Sequence, residues 1–234
     1  MGIFALGLNH QTAPIGYREK VAAAVQNIET VNETLKIEHR VSEIVTLSTC
    51  NRVEFYGVVR DGIKIDVLFQ WLAERGVEPE QAYFYIYEGE AVVRHLFRVV
   101  SSLDSMILGE NQIIAQVRTA FQIAEKTKSV GGILRRLFER AFVVAKRVRN
   151  ETRISEGAVS IGRAGVDLSV QVLGDVSGCT AMIVGAGEHG QIIAKNLKSQ
   201  GVVDLFIANR TFERAADLAK ELGGLPIQLS DISR

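Results

Sequence analysis

The segment Cys179 to Gly190, CTAMIVGAGEHG, constrains the fold of this chain more than any other stretch. A short apolar run ends in Gly185-Ala186-Gly187-Glu188-His189-Gly190, which fits the pattern G-x-G-x-x-G. Helix-forming residues come next, then a second apolar run, VVDLFIANR, and then TFERAADLAKEL. A strand, a glycine loop, a helix, a strand and a helix in that order predict parallel strands with crossover helices. In such a loop the first glycine makes the tight turn and the second admits a pyrophosphate. The third allows helix and strand to pack closely, and the helix N-terminus faces the phosphates.

The end of the second strand says which dinucleotide is expected. An NAD site places Asp or Glu there for the ribose hydroxyls, whereas this strand ends Ala208-Asn209-Arg210-Thr211 and keeps Asp204 at its start. Arg210 beside Asn209 instead suits a 2′-phosphate, so NADPH is the predicted cofactor. The chain reaches LPIQLSDISR at about the third strand of a Rossmann-type domain, so that domain is expected to be truncated at its C-terminus.

Upstream, IFALGL, two runs near 43–47 and 53–59, and AYFYIY read as strands, with helices expected from Arg18 to about Leu35 and from Ile65 to Arg75. That β-α-β-β-α-β order predicts an α+β domain of ferredoxin-like type. Three further helices are expected near 90–103, 111–126 and 132–150. The last carries an apolar stripe at Leu134, Leu137, Phe138, Ala141, Phe142, Ala145 and Val148. The predicted domains are 1–150 for substrate and catalysis and 151–234 for the dinucleotide.

With 47% hydrophobic residues the chain can build a real core, and its 27 basic and 27 acidic residues cancel. Two cysteines make no disulfide framework. No apolar run approaches the roughly 20 residues of a membrane span, so a cytoplasmic protein without a membrane partner is expected. Charge is nonetheless uneven. Between Lys126 and Arg153 nine basic residues stand against two acidic ones, which serves either a phosphate backbone or a solvated helix face.

The stretch TLSTCNRVEFYGVV sets Cys50 in a polar turn, although free cysteines are usually buried. An accessible thiol two residues from Arg52 has what a nucleophile needs, and Arg52 could also hold a carboxylate. His10, at the end of the first strand, and His95, at the border of an apolar helix stripe, are both candidate bases, and periodicity leaves the choice open. The segment SSLDSMILGENQIIAQ is a second unusual polar stretch, which by itself reads as a capped helix start.

Together GLNHQTAP with REK after it, LSTCNRVEFY, HLFRVVSSLDSMILGENQIIAQV, LFERAFVVAKRVRNET, VGAGEHG and IANRTFERA resemble the glutamyl-tRNA reductase family, in its order and over nearly the whole chain. The resemblance implies NADPH-dependent reduction of glutamyl-tRNA to glutamate-1-semialdehyde, the first step of five-carbon tetrapyrrole (porphyrin) synthesis. Cys50 would be the nucleophile that forms a thioester, and His95 its catalytic helper. Thr49, Asn51, Arg52, Ser105, Glu110, Asn111, Gln112 and Gln116 fall on glutamate-recognition positions, and Gly185 to Gly190 on the NADPH loop. Asn111 stands where many members have Pro. Members continue into a helical domain that makes them homodimers and hand the aldehyde to an aminomutase. Without those helices a monomer is expected, and thioester formation is better supported than reduction. The alternatives are a chain that only forms or hydrolyses the thioester, and a non-catalytic tRNA-binding fragment.

Overall fold

A computed structural model describes residues 2–232 except 39, 40, 61–65, 107, 111, 153 and 155–160, and omits the side chains of 161–164 and 188. Its contacts divide the chain into two compact units, Met1–Ala158 and Val159–Arg234.

In the first unit the strands are β1 (Gly2–Asn9), β2 (Glu43–Ser48), β3 (Arg52–Val59) and β4 (Tyr85–Glu88). They form one sheet in the order β2-β3-β1-β4, with every neighbour antiparallel. The helices α1 (Ile15–Ala24), α2 (Ile28–Ile37) and α3 (Asp66–Ala73) pack on Phe4, Leu6, Leu8, Val53 and Phe55 on one face. On the other face α4 (Glu90–Val100), α5 (Gln112–Lys126) and α6 (Gly132–Glu151) pack on Ala5, Val45, Leu47, Tyr56 and Val58. Because side chains alternate along a strand, a sheet covered on both faces buries every residue of β3. Arg52, Glu54 and Tyr56 share the parity of Val58 and so face α4–α6.

The single helix expected over 18–35 is two helices. Asn27 breaks the run, and its Oδ1 accepts a hydrogen bond from the Thr30 N–H at 3.2 Å, capping α2. Of AYFYIY, only the end is strand, since Gln81–Tyr83 form a 3₁₀ turn. The stripe on α6 turns inward as its spacing predicts, with Leu134, Leu137, Phe138, Ala141 and Ala145 buried.

The second unit contains α7 (Ile161–Leu173), β5 (Thr180–Val184), α8 (Glu188–Ser199), β6 (Asp204–Asn209), α9 (Phe212–Leu222) and β7 (Leu225–Gln228). The strands are parallel in the order β5-β6-β7, and Ile183, Leu205, Ile207, Ala194 and Leu218 belong to their core. Among the described residues no helix is long and apolar enough to cross a membrane.

Candidate active site

Cys50 lies at the apex of the three-residue turn between β2 and β3 and is exposed. Thr49 shapes that turn. Its Oγ1 accepts hydrogen bonds from the N–H groups of Asn51 (3.2 Å) and Arg52 (3.1 Å), and its own N–H donates to the Arg52 carbonyl at 2.9 Å. From α1, Arg18 Nη1 donates to the Cys50 carbonyl at 3.0 Å. The backbone under the thiol is therefore held from inside the turn and from a neighbouring helix.

Two residues on, Arg52 points into the unit, where only 2% of its surface is exposed. Its Nη1 lies 2.7 Å from Glu54 Oε1, and its Nη2 donates to the Asp104 carbonyl at 2.5 Å. Glu54 is wholly buried and accepts further hydrogen bonds from the hydroxyls of Tyr56 and Tyr85. His95 Nε2 stands 3.0 Å from the same Oε1. A buried charge survives only with such partners. Burial alone would push the Glu54 carboxyl up, but the Arg52 guanidinium, His95 and Tyr56 together hold it at about 2. For Arg52 burial opposes the charge, and the Glu54 carboxylate more than restores it. Gly7, directly opposite Glu54 in the β1–β3 ladder, makes the room: a Cβ there would lie 2.8 Å from Glu54 Cγ and 3.0 Å from the Tyr85 ring.

This array orients the His95 ring. An ionised carboxylate only accepts, so the bond to Glu54 is one that His95 Nε2–H donates. Nδ1 faces Asp104 Oδ2 at 3.9 Å, and Arg98 grips that carboxylate with contacts of 2.7 to 3.2 Å. The ring packs against Tyr87, with centroids 4.7 Å apart, and His95 is 7% exposed. The other candidate base, His10, follows β1 at the level of the cysteine turn, and burial, Arg52 and Arg18 lower its pKa.

Of the residues expected to recognise substrate, Thr49, Asn51, Arg52 and Cys50 belong to one turn. Ser105 and Glu110 lie half-buried in the loop between α4 and α5, and Gln112 and Gln116 are half-buried on α5. The loop is pinned by Ser102, whose hydroxyl donates to the Glu110 carbonyl at 2.6 Å, and by Arg149, which donates to that carbonyl at 3.3 Å. Asn111 and His39 lie outside the described residues. Arg136, Arg140 and Lys146 are exposed along α6. Glu54, Tyr56 and Tyr85 are not among the residues expected at the site, although a lone carboxylate in the apolar strand RVEFYGVV is a signal for the first.

In the second unit Gly185 has φ +113, a conformation that favours glycine. A Cβ on Gly190 would fall 1.8 Å from the Gly185 carbonyl oxygen, whereas a Cβ on Gly187 would meet nothing within 4 Å. The loop therefore packs tightly where the chain folds back and is open where a ligand would approach. Asn209 Oδ1 accepts from the Ala186 N–H at 3.2 Å, tying the loop to the end of β6, where Arg210 is exposed. A cavity of about 370 Å³ adjoins the loop, lined by Ala186, Gly187, Gln191 and Arg214, with the carboxylates of Asp217 and Glu221 also on its wall. His189 is half-buried at the start of α8, and only the backbone of Glu188 is described. A helix start behind an uncrowded Gly187, with Arg214 on the cavity wall, fits a dinucleotide phosphate.

Residues 6–152 match the family described as glutamyl-tRNAGlu reductase, N-terminal domain, and residues 167–234 match shikimate / quinate 5-dehydrogenase. The chain is 43% identical over 236 residues to a glutamyl-tRNA reductase of Geobacter metallireducens, covering 99% of this chain and 54% of that protein. It is 42% identical over 235 residues to one of Marinomonas sp., covering 99% and 56%. Among solved structures, glutamyl-tRNA reductase from Methanopyrus kandleri matches with a TM-score of 0.65 and 36% identity, over 98% of this chain and 55% of that one. The chain thus spans about half the length of the curated relatives it matches.

Proposed function

The chain belongs to the glutamyl-tRNA reductase family, and we propose that it carries that family's reaction: Cys50 takes the glutamyl group of glutamyl-tRNA as a thioester, which NADPH reduces to glutamate-1-semialdehyde for tetrapyrrole synthesis. The observation that carries this reading is the exposed thiol on a doubly anchored turn, next to the buried Arg52–Glu54–His95 array. The four-stranded order β2-β3-β1-β4 supports reading unit 1 as a ferredoxin-like frame for that turn.

The sulfur attacks the ester carbonyl carbon, and the bond from that carbon to the ribose oxygen breaks. The thiol proton passes to His95 Nδ1 and from there to the departing ribose oxygen. Glu54 is a positioning residue in this scheme, because by accepting from Nε2 it leaves Nδ1 as the nitrogen turned to the transferred proton. Thr49, Asn51, Ser105, Glu110, Gln112 and Gln116 surround the glutamyl group, with Asn111 expected among them. Arg52 acts through its hold on Glu54 and the 104 carbonyl. The exposed cations of α6 face the phosphate backbone of the tRNA. NADPH, held by the loop from Gly185 to Gly190 with Asn209 and Arg210, would supply a hydride to the thioester carbonyl. The aldehyde would then pass to an aminomutase.

The test is to incubate the chain with glutamyl-tRNA and NADPH and to assay the aldehyde. The proposal requires aldehyde from the parent and none from Cys50→Ser. Release of free glutamate in place of aldehyde would reduce the activity to hydrolysis.

A further inference from the structure

A second cavity, of about 340 Å³, opens in unit 1 beside His95. Its wall includes Gln11, Tyr87, Arg94, His95, Arg98 and Asp104. Among the described residues, neither the cysteine turn nor Ser105, Gln112 or Gln116 contributes to it. It is distinct from the space around the glutamyl group, yet it shares the imidazole. Its volume lies at the small end of ligand pockets.

An aminoacyl ester has two halves. On the far side of its carbonyl from the amino acid lie the terminal ribose, its base and its 5′-phosphate. Proteins hold single nucleotides by stacking the base on an aromatic side chain and pairing the phosphate with a cation. The cavity offers both. Tyr87 is half-buried on the cavity wall, its ring also packed against His95 at 4.7 Å between centroids. Arg94 is 74% exposed and pairs with Glu90 at 3.0 Å on the same helix. A surface ion pair of that kind is worth little, so a phosphate can displace it. Arg98 is committed by its several contacts to Asp104.

We infer that this cavity holds the 3′-terminal adenosine nucleotide of the aminoacylated RNA, its base against Tyr87 and its 5′-phosphate at Arg94. The inference rests on the proposed function for the identity of the RNA. It also explains why His95 lines the cavity: the ribose oxygen released from the ester would leave within reach of Nδ1.

The test is titration of the isotopically labelled chain with adenosine 5′-monophosphate or adenosine, followed by NMR at residue resolution. The monophosphate is expected to shift the amides of Gln11, Tyr87 and Arg94 saturably. Arg94→Gln should weaken the monophosphate about tenfold, as for one lost charge-assisted contact, while leaving adenosine unaffected. Shifts absent from these amides, or confined to unit 2, would overturn the assignment, as would an Arg94→Gln variant with unchanged monophosphate affinity. Shifts at these amides in a chain that never acquires a glutamyl label would uphold the nucleotide cavity and sink the thioester reading instead.

Discussion

Glu54→Gln removes the carboxylate that pairs with both Arg52 and His95, and its cost can be worked out in two ways. A carboxyl lowered from 4.5 to about 2 in the folded chain contributes about 3 kcal/mol at neutral pH. Leaving the Arg52 guanidinium buried without its partner costs about 3–5 kcal/mol. These are two views of one interaction and do not add. Because the folded carboxyl binds its proton less readily than the unfolded one, the contribution is complete above about pH 4.5 and fades as pH falls toward 2. The chain has a single tryptophan, Trp71, buried in the core of unit 1, so its fluorescence reports that unit alone. Urea unfolding followed at Trp71 should show the variant about 3 kcal/mol less stable at pH 7, with the gap to the parent closing toward pH 2. A gap under about 1 kcal/mol at pH 7, or one independent of pH, would refute the charged Arg52–Glu54–His95 array.

The glycines and the cofactor loop give further expectations. Gly7→Ala drives a Cβ to 2.8 Å from Glu54 Cγ and should destabilise unit 1 by about 1–3 kcal/mol in the same urea assay; an unchanged midpoint would contradict the packing. Gly190→Ala meets the backbone oxygen of Gly185 at 1.8 Å, so about 3 kcal/mol should be lost, visible as faster hydrogen exchange in β5 and α8. Arg210→Gln should lower the preference for NADPH over NADH in binding at least about tenfold, and equal loss for both would remove Arg210 from the 2′-phosphate.

The strands of unit 1 were legible because alternating apolar residues have one reading, and the stripe on α6 because its spacing has one face. The break at Asn27 was not, since helix propensity on both sides hides a single capping side chain. The strand order could be anticipated only as a type, because pairing depends on contacts far apart in sequence. At the site, Cys50 stood out as a thiol in a polar turn. Arg52 read as a cation able to hold a carboxylate, and its burial against Glu54 was not foreseen. That pairing needs β3 to lie between β1 and β2, with Gly7 opposite, and no local pattern carries it. The placement of His95 was equally non-local: Glu54 reaches it across 41 residues of sequence.

The central claim is that Cys50 carries the glutamyl group. Mixing the chain with glutamyl-tRNA bearing labelled glutamate, without NADPH, and quenching in acid tests it most directly. The account predicts label on the parent, located at Cys50, released by hydroxylamine and absent from Cys50→Ser. Label that persists in that variant, or no label while the tRNA binds, would contradict it.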